Sequence, residues 1–274
     1  MTIHLHHVHM NVAERERSYR FYETHLDARR VRLNGASEAL QASPVLLLLD
    51  QTETAPNAAL PTGIQHIGWG SQDPAAWYER AHAAGVEPDT RGNTLFNTGP
   101  SPTVGAPGSG ATMFTLLGAQ PPACFPIPDA FSYIYVLGPD QERIEIWSGA
   151  DLRVNHLHFT TADLATTVGW YERFLGIQVS NSGLFAAWFL DDILFFFEPI
   201  GNASDYRPTD DHVLAHVGLA VSNLDTWRMR AQEQQLEVVA EPAQAHGFQS
   251  FFVRAPDGVL LELVEATTSN ELCQ

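Results

Sequence analysis

Leu5-His6-His7-Val8-His9-Met10-Asn11-Val12 decides how this chain folds, because the stretch alternates and later returns. Successive side chains of an extended strand point to opposite faces, so His7 and His9 share one face while Val8, Met10 and Val12 share the other. The arrangement recurs at Asn155-His156-Leu157-His158-Phe159. A helical stripe follows each copy: Ser18, Phe21, Tyr22 and Leu26 within about Glu14 to Asp27, then Leu164, Val168, Tyr171 and Leu175 ahead of a terminating Gly176.

Working outward, the correspondence extends along the chain. His66-Ile67-Gly68 matches His216-Val217-Gly218, and each precedes a tryptophan, Trp77 and Trp227, by the same interval. Asp73-Pro74 supplies a helix cap with proline in the first turn, and Asn223 occupies the equivalent place. Gly138-Pro139-Asp140 leads into Ile144-Glu145-Ile146-Trp147 as Ala255-Pro256-Asp257-Gly258 leads into Leu261-Glu262-Leu263-Val264. Strand, helix and three further strands therefore recur four times, an α+β chain of two tandem domains, 1–150 and 151–274. Each half carries two histidines and a glutamate in register: His7, His66 and Glu145, then His156, His216 and Glu262. The Pro/Gly-rich stretch from Pro100 to Gly110, and Gln120 to Pro128, have no counterpart in the second half. They read as loop, either a lid over the first ligand set or a plain surface excursion.

Composition narrows the chemistry. The formal charge is −17 over 274 residues, which argues against nucleic acid and anionic membranes and points to a small-molecule substrate. All 15 basic residues are arginine, so Schiff-base chemistry and a phosphate loop with its lysine are excluded. Cys124 and Cys273 form no disulfide framework or thiolate cluster. The longest apolar runs, Val45 to Leu49 and Ile193 to Phe197, are too short to span a bilayer, and Met1-Thr2-Ile3-His4 does not read as a secretion signal, so a cytoplasmic enzyme is expected. Asp191-Asp192 and Asp210-Asp211 read as solvated turns without the spacing of a calcium loop.

Two neutral imidazoles and one carboxylate are a ligand set for a divalent ion with open positions. Fe(II) is the first choice, with Mn, Zn, Ni and Co as alternatives. A single histidine on a strand is ordinarily a hydrogen-bonded core residue; six ligand-type residues in matching register favour metal. His9 and His158, two positions beyond the strand ligands, are read either as orienting or acid-base groups or as buried polar neighbours.

With these motifs in place the chain resembles the vicinal oxygen chelate superfamily, which includes glyoxalase I, bleomycin-resistance proteins and type I extradiol dioxygenases. The resemblance implies paired βαβββ modules forming half-open barrels of mixed sheet with outer helices, each half supplying its own ligand set, and a homodimer. In chain length and in its four modules the sequence looks most like the extradiol enzymes. Their signature places a histidine and a tyrosine ahead of the ligand glutamate. Here His246 precedes Glu262 but the segment Ser250-Phe251-Phe252 puts phenylalanine in the tyrosine's place, whereas Tyr135 precedes Glu145 without an upstream histidine. The implied activity is ring-cleaving or related C–C-cleaving dioxygenation of a catechol-like substrate, with Tyr135, His9, His158 and His246 as catalytic candidates. A metal-dependent lyase or isomerase and a metal-free drug-binding protein are the alternatives.

Overall fold

The computed structural model describes residues 3–33, 37–91, 100–117, 120–122, 125, 127–245 and 248–265. The first module is β1 (Ile3–Val12), α1 (Arg15–His25), β2 (Arg29–Leu33), β3 (Ser37–Ala42) and β4 (Val45–Gln51). The second is β5 (Ile64–Ser71), α2 (Pro74–Ala83), β6 (Thr103–Val104), α3 (Ser109–Leu117), β7 (Ser132–Leu137) and β8 (Arg143–Ser148). The third is β9 (Val154–Thr161), α4 (Leu164–Leu175), β10 (Ser180–Asn181), β11 (Ala186–Leu190) and β12 (Ile193–Pro199). The fourth is β13 (Leu214–Val221), α5 (Leu224–Glu233), β14 (Val238–Ala245), β15 (Phe248–Arg254) and β16 (Leu260–Glu265).

Local chemistry sets the helix ends where the sequence places them. Asp73, Asp163 and Asn223 each accept a hydrogen bond from the backbone N–H three residues on, and Gly176 closes α4 at φ 70°, a left-handed conformation that glycine adopts without a Cβ clash. The helix α1 begins one residue later and ends two earlier than its pattern suggests, and buries Ser18, Tyr19 and Tyr22. The inserted stretch is not all loop: Thr103–Val104 pairs with β7, and Ser109–Leu117 is a helix whose Phe114 is buried. Proline and glycine on either side hide this short helical run in the sequence. Asp191-Asp192 is likewise no solvated turn, since Asp192 is fully buried against Arg153 and Asp191 meets His4 at 2.7 Å.

Among the described residues, sixteen strands form two open, mixed eight-stranded sheets, ordered β14-β15-β16-β13-β1-β4-β3-β2 and β10-β11-β12-β9-β5-β8-β7-β6. Each sheet joins modules from different halves: the first pairs with the fourth through antiparallel β1 and β13, and the second with the third through antiparallel β5 and β9. Contacts within each half lie elsewhere. Asp140 accepts from Ala13 N and Ser18 Oγ of the first module, and Asp257 accepts from Ala162 N and Thr167 Oγ1 of the third. Trp77 Nε1 donates to His25 O, and Trp227 meets Phe174 edge to face.

Strand alternation divides the apolar residues between the two faces. Val8, Met10, Leu47, Leu49, Ile67, Trp69, Phe195 and Phe197 belong to one continuous core on the helix side. On the other face of the second sheet Trp147, Leu194 and Phe196 form a separate buried cluster with Phe114, Phe125 and Phe131. That second face carries the histidines.

Candidate metal centre

All six histidine and glutamate ligand candidates are buried, and they gather into two clusters. Their grouping differs from the one the sequence repeat suggests. His7 joins His216 and Glu262, while His66 and Glu145 join His156, because the histidine-bearing strands pair across the halves, β1 with β13 and β5 with β9. In the His66 cluster, His66 Nε2 and His156 Nε2 each lie 2.9 Å from Glu145 Oε2 and 3.2 Å from one another. In the His7 cluster, Glu262 Oε2 is 2.9 Å from His7 Nε2 and 3.1 Å from His216 Nε2, with 3.3 Å between the nitrogens.

A kink in the pairing helps to place these rings. Between Ile64 and His66 the register advances two residues on β5 against one on β9, leaving Gln65 as the extra residue, and Asn155 is the extra residue between Val154 and His156. His6 and Ala215 hold the corresponding places in the first sheet. A bulge re-aims its side chain, and here Gln65 Oε1 accepts from His66 Nδ1 at 2.9 Å while Asn155 Oδ1 accepts from His156 Nδ1 at 2.8 Å. His6 Nδ1 stands 2.9 Å from His7 Nδ1. Glycine supplies the remaining room: a Cβ at Gly68 would meet His156 Cε1 at 1.7 Å, and one at Gly218 would meet His7 Cε1 at 2.1 Å.

The donor set fits a cation. With Nδ1–H of His66 and His156 committed to amide oxygens, both Nε2 atoms present lone pairs, and they converge on a carboxylate oxygen. Burial pushes His66 and His156 below the ordinary histidine value, favouring neutral rings. Three buried electron-pair donors facing one another need a positive charge between them, which a divalent ion supplies.

The remaining candidates distribute unevenly. His158 lies 4.5 Å, ring to ring, from His66 and 3.2 Å from the buried Glu198, whereas His9 stacks on His216 at 4.4 Å and reaches Asp50 at 3.5 Å. Tyr135, buried, is paired in register with Glu145, its ring 5.3 Å from His66 and beneath the Arg143 guanidinium. Phe252 pairs with Glu262 in the matching position. His246 lies outside the described residues. Sequence reasoning missed Gln65, Asn155, His6, Asp50 and Glu198. The signals were present: an amide or imidazole directly precedes three of the four ligand histidines, and an acid directly follows each long apolar run.

The sequence model of the Glyoxalase/Bleomycin resistance protein/Dioxygenase superfamily matches residues 4–99 and 153–263, most of the chain. The chain belongs to this superfamily. Among solved structures, glyoxalase I from Zea mays is similar with a TM-score of 0.64 at 12% identity, over 96% of this chain and 92% of that one. Its V278E mutant gives a TM-score of 0.64 at 13% identity over the same shares. A protein from Bacillus subtilis described as a "putative dioxygenase" gives 0.63 at 11% identity, over 98% of this chain and 86% of that one. At such identities the likeness to these structures is one of fold. No curated protein matches the sequence. No helix among the described residues is long and apolar enough to cross a membrane.

Proposed function

We propose that this superfamily member is a divalent-metal-dependent enzyme acting on a small substrate that chelates through two adjacent oxygens, with C–C-cleaving dioxygenation as its reaction and the His66 cluster as its working centre. The observation that carries this reading is the content of the pseudo-symmetric fourth position. Glu145 and Glu262 sit on β8 and β16, in register with Gly68 and Gly218. The same place on β4 and β12, beside His9 and His158, holds Leu48 and Phe196. Among the described residues each cluster thus has two imidazoles and one carboxylate, with no second acid at that place, the ligand set that leaves adjacent positions of a six-coordinate ion for substrate and O₂.

His66 and His156 would hold the ion through Nε2 and Glu145 through Oε2. Fe(II) bound there supplies a Lewis acid for the substrate oxygens and electrons for O₂. His158, oriented by Glu198, accepts the proton that a catecholic hydroxyl gives up on binding, and Tyr135 supplies a hydroxyl donor for a substrate oxygen. Trp147, Phe196 and the aromatic residues around them, on the same face, keep bulk water from the site.

Phe252 favours a second reading at the His7 cluster. Without a hydroxyl opposite Glu262, that cluster suits redox-neutral lyase or isomerase chemistry, in which the ion only polarises a carbonyl. Oxygen uptake by Fe(II)-loaded protein given a catechol tests the first reading. Catechol-dependent uptake that disappears in His66→Ala supports it, whereas turnover that persists without O₂, or that Zn(II) restores, rejects it in favour of the redox-neutral reaction. Ligand affinity unchanged in both His66→Ala and His216→Ala would indicate metal-free sequestration.

A further inference from the structure

The bulges on β5 and β9 leave side chains that neither the ligand set nor the proposed reaction uses. Gln65 and Asn155 are almost fully buried at 2% and 5% exposure, and each turns its amide oxygen onto Nδ1 of the histidine that follows it. The two arise from opposite strands, yet the pseudo-twofold relation between β5 and β9 brings them to equivalent places around one cluster. In the other sheet the same positions carry an imidazole and a methyl group, His6 and Ala215. Matched amides are therefore a feature of one cluster and not of the fold.

An amide oxygen accepts and cannot donate, so it selects the Nδ1–H tautomer and leaves the Nε2 lone pair facing Glu145. A histidine free to exchange tautomers presents Nε2–H part of the time and must be reset before it can ligate. We propose that Gln65 and Asn155 are positioning residues that set the metal affinity of the His66 cluster by locking both imidazoles in the ligating tautomer. The inference rests on the metal-centre reading above, and partners of this kind typically change metal affinity by about 10- to 100-fold.

The test uses the full chain with the other cluster silenced by Glu262→Gln, titrated anaerobically with Co(II) and followed by visible absorbance. In that background Gln65→Leu and Asn155→Leu should each weaken Co(II) binding by about 10- to 100-fold, while Asn155→Asp, which keeps an acceptor oxygen, should restore it. Nitrogen-15 spectra of the metal-free parent should show a proton on Nδ1 of both His66 and His156, with bare Nδ1 signals emerging in the leucine variants. If a leucine variant does not fold, these parent spectra decide: a bare Nδ1 at either ring overturns the proposal. Unchanged Co(II) affinity in folded leucine variants also overturns it, and leaves the metal centre standing. A parent that binds no Co(II) removes both.

Discussion

Glu262 Oε2 lies 2.9 Å from His7 Nε2, so the last strand of the sheet-forming chain completes a cluster begun by the first. Substitutions should therefore fall into pairs that cross the halves. His7→Ala and His216→Ala should each remove one metal equivalent, and the double variant no more than that one. Combining His7→Ala with His66→Ala should remove both. Metal content per chain after anaerobic loading checks this, and loss of both equivalents from His7→Ala/His216→Ala would restore the grouping by halves.

Gly68 and Gly218 are contact positions for imidazole rings. Because a Cβ at either would overlap His156 or His7, alanine must push the ring off its place. Gly68→Ala should abolish metal binding at the His66 cluster alone, Gly218→Ala at the His7 cluster alone, each lowering stability of the metal-free protein by about 1–3 kcal/mol. Co(II) titration combined with urea unfolding measures the two effects.

Tyr135 should matter for turnover and not for loading. Tyr135→Phe is expected to reduce kcat by about 100-fold with catechol while leaving the bound-metal stoichiometry intact. Equal activity in the variant would remove Tyr135 from the proposed chemistry.

Burial pushes the Glu142 carboxyl up to about 7, despite hydrogen bonds from Tyr22 Oη at 2.8 Å and Asp140 N at 2.8 Å. A carboxyl whose folded value is raised stabilises fully below its unfolded value of about 4.5, and that contribution is lost as pH climbs through 7. Between those limits the unfolded chain releases its proton first. The stability difference between Glu142→Gln and wild type should accordingly move in the variant's favour from pH 4.5 to pH 7 and level off above it. Denaturant unfolding at fixed salt across this range gives the curve; a flat difference would place Glu142 in ionised form throughout.

Much of this molecule was legible locally. Alternation placed His7 and His9 on one face and Val8 and Met10 on the other, and caps at Asp73, Asn223 and Gly176 marked helix ends, because each depends on neighbours a few residues apart. Which module lies beside which has no such local trace. The pairing of β1 with β13 is a long-range choice, so the six candidate ligand positions were grouped by halves where the structure gathers them across the halves. Gln65 and Asn155 were overlooked for a related reason. Strict alternation sends the residue before a ligand to the opposite face, and only a bulge, which appears once two strands are paired, turns it back. The helix α3 was masked by the prolines and glycines around Ser109–Leu117.

The antiparallel seams β1–β13 and β5–β9 have a consequence for how such a chain diversifies. Each half contributes one edge to both seams, as each subunit of a twofold dimer would, yet the two are covalently joined and free to differ in sequence. A true dimer must repeat every change at both of its sites. Here Tyr135 can face one centre and Phe252 the other, and amides can brace one pair of rings while His6 and Ala215 occupy the second. Linkage releases the two centres from symmetry, so one can keep a chemistry while its twin is remade.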